Sequence, residues 1–222
     1  MKPIIIINLK TYKQGTGKNA LQLTKMIEKV AKEYDAEIIV AAQDTDIRML
    51  ATETIVPIYA QAIEPVKQGS TTGHVLPEAV KEAGAVGTLM NHSEHRERID
   101  IIEESIKRAH EAGLHICVCA NTADIALAIS TLGPEYVAME PPELIGGDVS
   151  VSKAKPELIS ETVKKVNQCG GKVGVLVGAG VKNAEDLRIA LKLGAQGVLL
   201  ASGVVCAQDP EAALRGLLEG LK

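Results

Sequence analysis

YVAMEPPELIGG, residues 136–147, combines a buried strand, a carboxylate and a hinged loop within twelve residues. Its first four residues, Tyr136–Met139, are apolar or small, as in a buried strand, and the apolar run stops at Glu140. Pro141 and Pro142 then end the strand, because proline lacks the N–H group that a central strand needs. Glu140 is therefore predicted to lie at the rim of a sheet.

The residues after the two prolines have the pattern of a flap. Leu144 and Ile145 form a short apolar tip, and Gly146 and Gly147 supply a loose hinge behind it. A carboxylate under such a flap is a candidate catalytic base. The alternative is a strand-end glutamate followed by a proline-rich turn, since acidic residues are common at the protein surface.

Eight apolar, β-branched segments recur along the chain, and segments of helical period lie between them. The predicted strands are Ile4–Ile7, Glu37–Ala41, Val56–Ala60, Val86–Met90, His115–Cys119, Tyr136–Met139, Lys172–Val177 and Gly197–Leu200. Eight strand–helix units average about 28 residues each, which fits a (β/α)8 barrel of the TIM type. We therefore predict an α/β fold with residues 1–222 in a single barrel domain.

The alternative architecture is a doubly wound open sheet. Neither a G-x-G-x-x-G motif nor a P-loop follows the first predicted strand, where such a sheet would place its nucleotide site.

Composition narrows the partners of the chain. It has four Tyr and neither Phe nor Trp, so its core must consist mainly of aliphatic residues. Aromatic side chains on which nucleic-acid bases could stack are correspondingly scarce. The net charge is −4 and no basic run is present, which argues against nucleic acid or an anionic membrane as a partner.

The N-terminus and the cysteines carry no processing or metal signal. The apolar run Ile4–Ile7 is too short for a signal-peptide core and no A-x-A cleavage site follows, so we expect a cytoplasmic protein. The four cysteines lack C-x-x-C spacing, which disfavours a disulfide or a zinc site; they are Cys117, Cys119, Cys169 and Cys206.

Polar residues follow several predicted strands, at the end where barrels of this type place their active sites. They are Asn8 and Lys10, then Gln61, then Asn91, His92, Ser93 and Glu94, and finally Glu140. Small residues follow the last two strands, at 178–180 and 201–203, just ahead of helices. Such turns present backbone N–H groups that bind phosphate.

Each of these signals has another interpretation. Asn91 and Glu94 have the spacing of a helix N-cap and its N3 partner. Lys10 could be an exposed rim lysine, and His92 a hydrogen-bonded histidine at a helix start. Their coincidence at one face of the predicted barrel favours an active site.

Three motifs together resemble the triosephosphate isomerase family: Asn8–Lys10, Asn91–Glu94, and Glu140-Pro141 with Ile145-Gly146. The resemblance extends through the glycine-rich loops after the last two strands and covers essentially the whole chain. The short helices and the flap look like the archaeal branch of that family.

The chain also departs from the family pattern. Leu9 stands where an aromatic residue is usual, the flap lacks a tryptophan, and Gly180 replaces a serine that commonly helps to hold phosphate. His74 and His95 replace an acid and a base that many members use at the dimer contact.

The resemblance implies interconversion of glyceraldehyde 3-phosphate and dihydroxyacetone phosphate, with neither cofactor nor metal. Glu140 would be the base, and His92 would polarise the carbonyl as a neutral imidazole whose pKa is lowered by a helix N-terminus, as is known for this family. Lys10 would supply positive charge, while Asn8 and Glu94 would orient their neighbours.

The resemblance also implies a binding set and an assembly. The substrate-binding residues would be Asn8, Leu9, Lys10, Ile145, Gly146, Gly180, Ala201 and Ser202. The segment Glu64–His74 is too long and polar for a minimal barrel connection. In the family this loop enters a neighbouring subunit, where Thr72 would steady the active site, so we expect a homodimer or a tetramer of dimers.

Two other functions fit a barrel of this size. One is a different phosphosugar enzyme: an epimerase would need paired Asp and His metal ligands, and a Schiff-base aldolase would need a lysine at the position of Glu140. A non-enzymatic binding barrel would be expected to have lost Lys10, His92 or Glu140, and all three are present.

Overall fold

The computed structural model describes residues 2–141, 144, 151–170 and 172–222, in which eight parallel strands close into a barrel in sequence order. The strands are β1 (Ile4–Asn8), β2 (Glu37–Ala42), β3 (Ile58–Ala60), β4 (Gly87–Met90), β5 (His115–Ala120), β6 (Tyr136–Met139), β7 (Gly174–Val177) and β8 (Gly197–Leu200). The barrel closes where β1 pairs with β8, with Ile4 opposite Gly197. The predicted (β/α)8 barrel is confirmed, and the doubly wound alternative is wrong.

Helices connect the strands and form the outer layer. They are α1 (Lys18–Ala31), α2 (Asp44–Glu53), α3 (Pro77–Glu82), α4 (Ile99–Glu111), α5 (Ala123–Ser130), α6 (Val151–Ala154), α7 (Pro156–Asn167), α8 (Ala184–Lys192), α9 (Ser202–Val205) and α10 (Pro210–Leu218). Short 3-10 helices cover Lys13–Gly15 and Glu219–Leu221. Within the described ranges, no helix has the length and apolar character needed to cross a membrane.

Strand β3 is two residues shorter than predicted at its start. The residue before it is Pro57, which has no N–H to donate to a neighbouring strand, although its carbonyl accepts a hydrogen bond from Val40 at 3.0 Å. The regular ladder therefore begins at Ile58.

Alternation along the strands sends side chains to two separate cores. In β1, Ile4 and Ile6 pack inside the barrel, whereas Ile5 and Ile7 pack outward against the helices. In β6, Ala138 likewise points inward. Because side chains alternate with a period of two, the residue two positions after an inward residue also faces the barrel axis. This phase turns the polar residues at the strand ends toward one common space.

The inside of the barrel is filled by aliphatic side chains and by tyrosine. Tyr59 is fully buried there, and an added Cβ at Gly87 would lie 2.5 Å from its ring. The absence of a side chain at Gly87 therefore makes room for the largest side chain of the interior.

Candidate active site

Glu140 lies one residue beyond β6 and is 2 % exposed. Its N–H donates to the carbonyl of Ala120 at 2.8 Å, and the N–H of Gly178 donates to Met139 at 2.9 Å. The barrel hydrogen bonds thus continue around Glu140 and fix its backbone. An added Cβ at Gly178 would lie 2.5 Å from Glu140 Cγ, so glycine there leaves space for the carboxylate.

Burial raises the pKa of the Glu140 carboxyl to about 7. A hydrogen bond from the Cys119 thiol and the positive charge of Lys10 act in the opposite direction and limit the rise. Oε2 is buried and has no hydrogen-bond partner among the described residues. A carboxyl with a free oxygen and a pKa near neutrality can accept a proton and return it at physiological pH.

His92 faces Glu140 across the mouth of the barrel. Its Nε2 lies 3.6 Å from Glu140 Oε1, and its Nδ1 accepts a hydrogen bond from the N–H of Glu94 at 3.2 Å. Because Nδ1 accepts, the neutral ring carries its proton on Nε2, the nitrogen directed at Glu140.

The pKa of His92 is lowered to about 4, first by burial and then by the positive charge of Lys10, while Glu94 acts to raise it. The imidazole is therefore neutral at pH 7, as the resemblance implies. The expected cause is wrong, however, because α4 begins only at Ile99 and His92 lies ahead of a turn. Burial of the ring, and not a helix N-terminus, is therefore the main cause of the lowered pKa of His92.

Asn91 and Glu94 do not cap a helix, so the alternative reading of their spacing is also wrong. The N-cap of α4 is Arg98. Asn91, with a φ of 57°, donates to the carbonyl of Cys119 at 2.9 Å and accepts from the N–H of Glu97 at 2.9 Å. Asn91 instead ties the loop after β4 to the end of β5.

Lys10 follows β1 with a left-handed backbone, at a φ of 47°. Its N–H donates to Asn8 Oδ1 at 2.9 Å, and its ammonium donates to Glu94 Oε1 at 2.7 Å. Gln61 Nε2 donates to the Lys10 carbonyl at 2.9 Å and lies 3.2 Å from Asn8 Oδ1. A left-handed conformation is costly for a residue other than glycine, so these contacts hold Lys10 in place.

One cavity contains most of the predicted site. Its lining includes Asn8, Lys10, His92, Glu140, Gly178, Gly180, Lys182, Ala201, Ser202 and Gly203. The loops after β7 and β8 thus meet the catalytic candidates in a single space. A buried carboxyl, a neutral imidazole and a cation surround a cavity whose lining after β7 and β8 includes several small residues.

The family model described as triosephosphate isomerase matches residues 3–217. The chain belongs to the triosephosphate isomerase family. It is 50% identical over 216 residues to the triosephosphate isomerase of Methanosarcina barkeri, covering 97% of this chain and 97% of the relative. It is 46% identical over 216 residues to that of Methanocaldococcus jannaschii, covering 97% and 99%.

A crystal structure of triosephosphate isomerase from Bartonella henselae has the same fold, with a TM-score of 0.76 at 20% identity, covering 100% of this chain and 98% of that one. The similarity to enzymes of methanogenic archaea confirms the predicted archaeal branch of the triosephosphate isomerase family.

Leu9 is the predicted binding residue that lies away from the cavity. Its side chain is fully buried in the outer core, and its N–H donates to the Ala41 carbonyl at 2.9 Å. Leu9 therefore packs the triosephosphate isomerase barrel behind Lys10. Ile145 and Gly146, the predicted flap contacts, lie outside the described residues.

Lys182 and Cys119 are among the residues at the site that sequence reasoning did not assign. Lys182 lines the cavity beside Gly180, and the Cys119 thiol contacts Glu140. The alternation in β5 could have indicated that Cys119 points inward, but its partner depends on how β5 and β6 align. Among the described residues, no group of three His, Cys, Asp or Glu side chains could hold a metal ion.

Proposed function

We propose that Glu140 and His92 together catalyse the interconversion of glyceraldehyde 3-phosphate and dihydroxyacetone phosphate in this member of the triosephosphate isomerase family. The observation that carries the proposal is their juxtaposition, with Nε2 of a neutral imidazole 3.6 Å from a buried carboxyl whose pKa is about 7. The two groups offer a proton acceptor and a proton donor at the same pH.

Glu140 removes the proton from the carbon beside the carbonyl, while the Nε2 proton of His92 passes to the carbonyl oxygen. The resulting enediol returns the proton of its second oxygen to His92, which leaves an enediolate, and Glu140 then protonates that enediolate at the adjacent carbon. One proton changes carbon, and no electron leaves the substrate.

Lys10 stabilises the negative charge that develops on the substrate oxygens. Glu94 orients both partners of this step, because its carboxylate accepts from the Lys10 ammonium and its N–H donates to His92 Nδ1. Asn8 holds the backbone of Lys10.

The phosphate of the substrate binds to backbone amides of Gly180, Ala201 and Ser202, on the side of the cavity away from the loop after β4. This placement is supported because these three residues line the same cavity as Lys10, which supplies positive charge. Ile145 and Gly146 of the flap complete the binding set in this proposal.

The proposed assembly is a homo-oligomer, either a dimer or a tetramer of dimers. A second cavity opens beside Lys10 and His92, and its lining includes Gln43, Asp44, Thr45, Gln61, Glu64, Glu94 and His95. In the proposed assembly it receives Thr72 of a neighbouring copy. Thr72 itself is exposed at the tip of its loop.

The remaining parts of the proposal concern organisation and role. Residues 1–222 form one domain, which the pairing of β1 with β8 near the two ends of the chain supports. The enzyme acts in the cytoplasm, in glycolysis and gluconeogenesis, without a cofactor.

A coupled assay tests the proposed function directly. Purified protein is supplied with glyceraldehyde 3-phosphate, and dihydroxyacetone phosphate is followed by its reduction, after prolonged treatment with EDTA. We expect turnover that chelation does not change. A chain that converts neither triose phosphate would refute the proposal, and activity that only a divalent ion restores would favour the epimerase alternative.

A further inference from the structure

Arg108 is a buried cation that the proposed reaction does not use. It lies in α4 and is 4 % exposed. Its Nη2 donates to Glu78 Oε1 at 2.5 Å, its Nη1 to Glu111 Oε2 at 2.5 Å, and its Nε to the Val66 carbonyl at 3.1 Å. A buried charge is costly unless such partners surround it, so this arrangement calls for an explanation.

Two of the three partners of Arg108, Val66 and Glu78, lie at or next to the two ends of one projecting segment, residues 64–75, which we call the arm. Val66 is close to the point where the arm leaves the barrel after β3. Glu78 is in the first turn of α3, just after the arm returns. One guanidinium group therefore fastens both ends of the arm to α4.

A second set of contacts closes the base of the arm. The N–H of Glu64 donates to the Val75 carbonyl at 3.1 Å, and the N–H of Val75 donates to the Glu64 carboxylate. His74 Nδ1 lies 3.6 Å from the same carboxylate. Thr72, at the tip, remains exposed. The arm is thus held at its base and presents its tip to the surroundings.

We propose that Arg108 is a positioning residue for assembly, which holds the arm in its projecting conformation before a second copy of this chain binds it. This inference rests on the homo-oligomer of the proposed function. A loop that is already ordered loses less conformational entropy on binding, so the Arg108 contacts act on the affinity between copies. Glu111 belongs to the same helix and balances the charge of the guanidinium.

The test compares Arg108→Gln with a matched control, Lys107→Gln. Both variants remove one positive charge from neighbouring positions of α4, but Lys107 is exposed and pairs with Glu103 at 2.9 Å on the helix surface. Molecular mass is measured by light scattering over a dilution series, with far-UV circular dichroism and isomerase activity recorded on the same samples.

We expect the dissociation constant of Arg108→Gln to rise by about tenfold or more, whereas Lys107→Gln behaves as the wild type. The dissociated variant should keep the circular dichroism of the barrel, and its activity should return at high protein concentration. A residue that merely stabilised the barrel would not give folded, separated subunits.

A second variant guards against misfolding, because Arg108→Gln leaves Glu78 without its cation. The double variant Arg108→Gln/Glu78→Gln removes the charge of both residues, so that no unpaired carboxylate remains at Glu78 while the contact of the guanidinium with the Val66 carbonyl is still lost. Unchanged association in a folded variant would overturn the role of Arg108 while leaving the assembly intact. Loss of folding in both variants would also overturn it, and a monomeric wild type would refute the inference and the proposed assembly together.

Discussion

Glu140 Oε1 lies 3.6 Å from His92 Nε2, and burial moves the pKa values of the two groups in opposite directions. The carboxyl rises to about 7 and the imidazole falls to about 4. Desolvation penalises the charged form of both groups, which for an acid means a higher pKa and for a base a lower one. The two groups therefore do not form a carboxylate–imidazolium ion pair, and each remains able to transfer a proton.

Replacing Glu140 by glutamine tests the assignment of the base. The amide keeps the shape of the side chain but cannot accept a proton, so kcat should fall by about 10²–10⁴-fold or more. The affinity for substrate should change far less, because the amides and Lys10 are untouched. Steady-state kinetics measure both quantities, with Glu82→Gln on the exposed face of α3 as the control. Near-normal turnover by Glu140→Gln would show that another group is the base.

The pH dependence of kcat/KM should report the carboxyl and not the histidine. Glu140 acts as a base only when ionised, so the rate should decline on its acid side below a pH of about 7. His92, with a pKa of about 4, stays neutral throughout that range and should add no step above pH 5. Rates measured from pH 5 to 9 at constant ionic strength check this. The same kcat/KM at pH 6 as at pH 8 would mean that Glu140 is not desolvated in the free enzyme.

The positions of Glu140 and Asn8 could be predicted from the sequence because they depend on local pattern. In β6, Ala138 faces inward, so the period of two turns Glu140 the same way. In β1, Ile4 and Ile6 do the same for Asn8. The barrel class then follows from the number of such strands and the helices between them.

The contacts between distant residues could not be predicted in this way. Lys10 and Glu94 are 84 positions apart, and their 2.7 Å contact depends on the closure of the barrel. The cause of the lowered pKa of His92 was also out of reach, because it depends on where α4 begins and how deeply the ring is buried. The burial of Arg108 likewise depends on contacts with Val66 and Glu78, which are 42 and 30 positions away in the sequence.

The dependence of stability on pH should distinguish the wild type from Glu140→Gln. Because the pKa of Glu140 is raised from 4.5 to about 7, the folded state binds its proton more tightly, and the wild type loses stability as pH rises through that window. The glutamine variant does not lose stability in this way. As pH rises from 4.5 to about 7, its free energy of unfolding should therefore increase relative to that of the wild type by about 3 kcal/mol, at about 1.4 kcal/mol per pKa unit.

His92 contributes the opposite slope, since its lowered pKa costs stability as pH falls from 6.5 toward about 4. In the wild type, the effects of Glu140 and His92 on the pH dependence of the free energy of unfolding partly cancel. In Glu140→Gln only the effect of His92 remains. Urea unfolding at pH 5, 6, 7 and 8 measures both proteins. A constant difference between them across this range would contradict a desolvated carboxyl.

Gly178→Ala should impair catalysis by displacing the carboxylate while its chemistry stays intact. The new Cβ would lie 2.5 Å from Glu140 Cγ and 3.0 Å from Oε1, so the side chain must move away. A misplacement of about 1 Å can cost on the order of 10²-fold in rate, and this loss should appear in kcat. The acid pKa of the pH–rate profile should stay unchanged as long as the carboxyl remains buried. Gly216→Ala is the matched control, because it lies within α10 with nothing within 4 Å of the added carbon. It should leave the rate unchanged and stabilise the helix by about 1 kcal/mol. Equal activity of the two variants would mean that the contact between Gly178 and Glu140 does not set the position of the base.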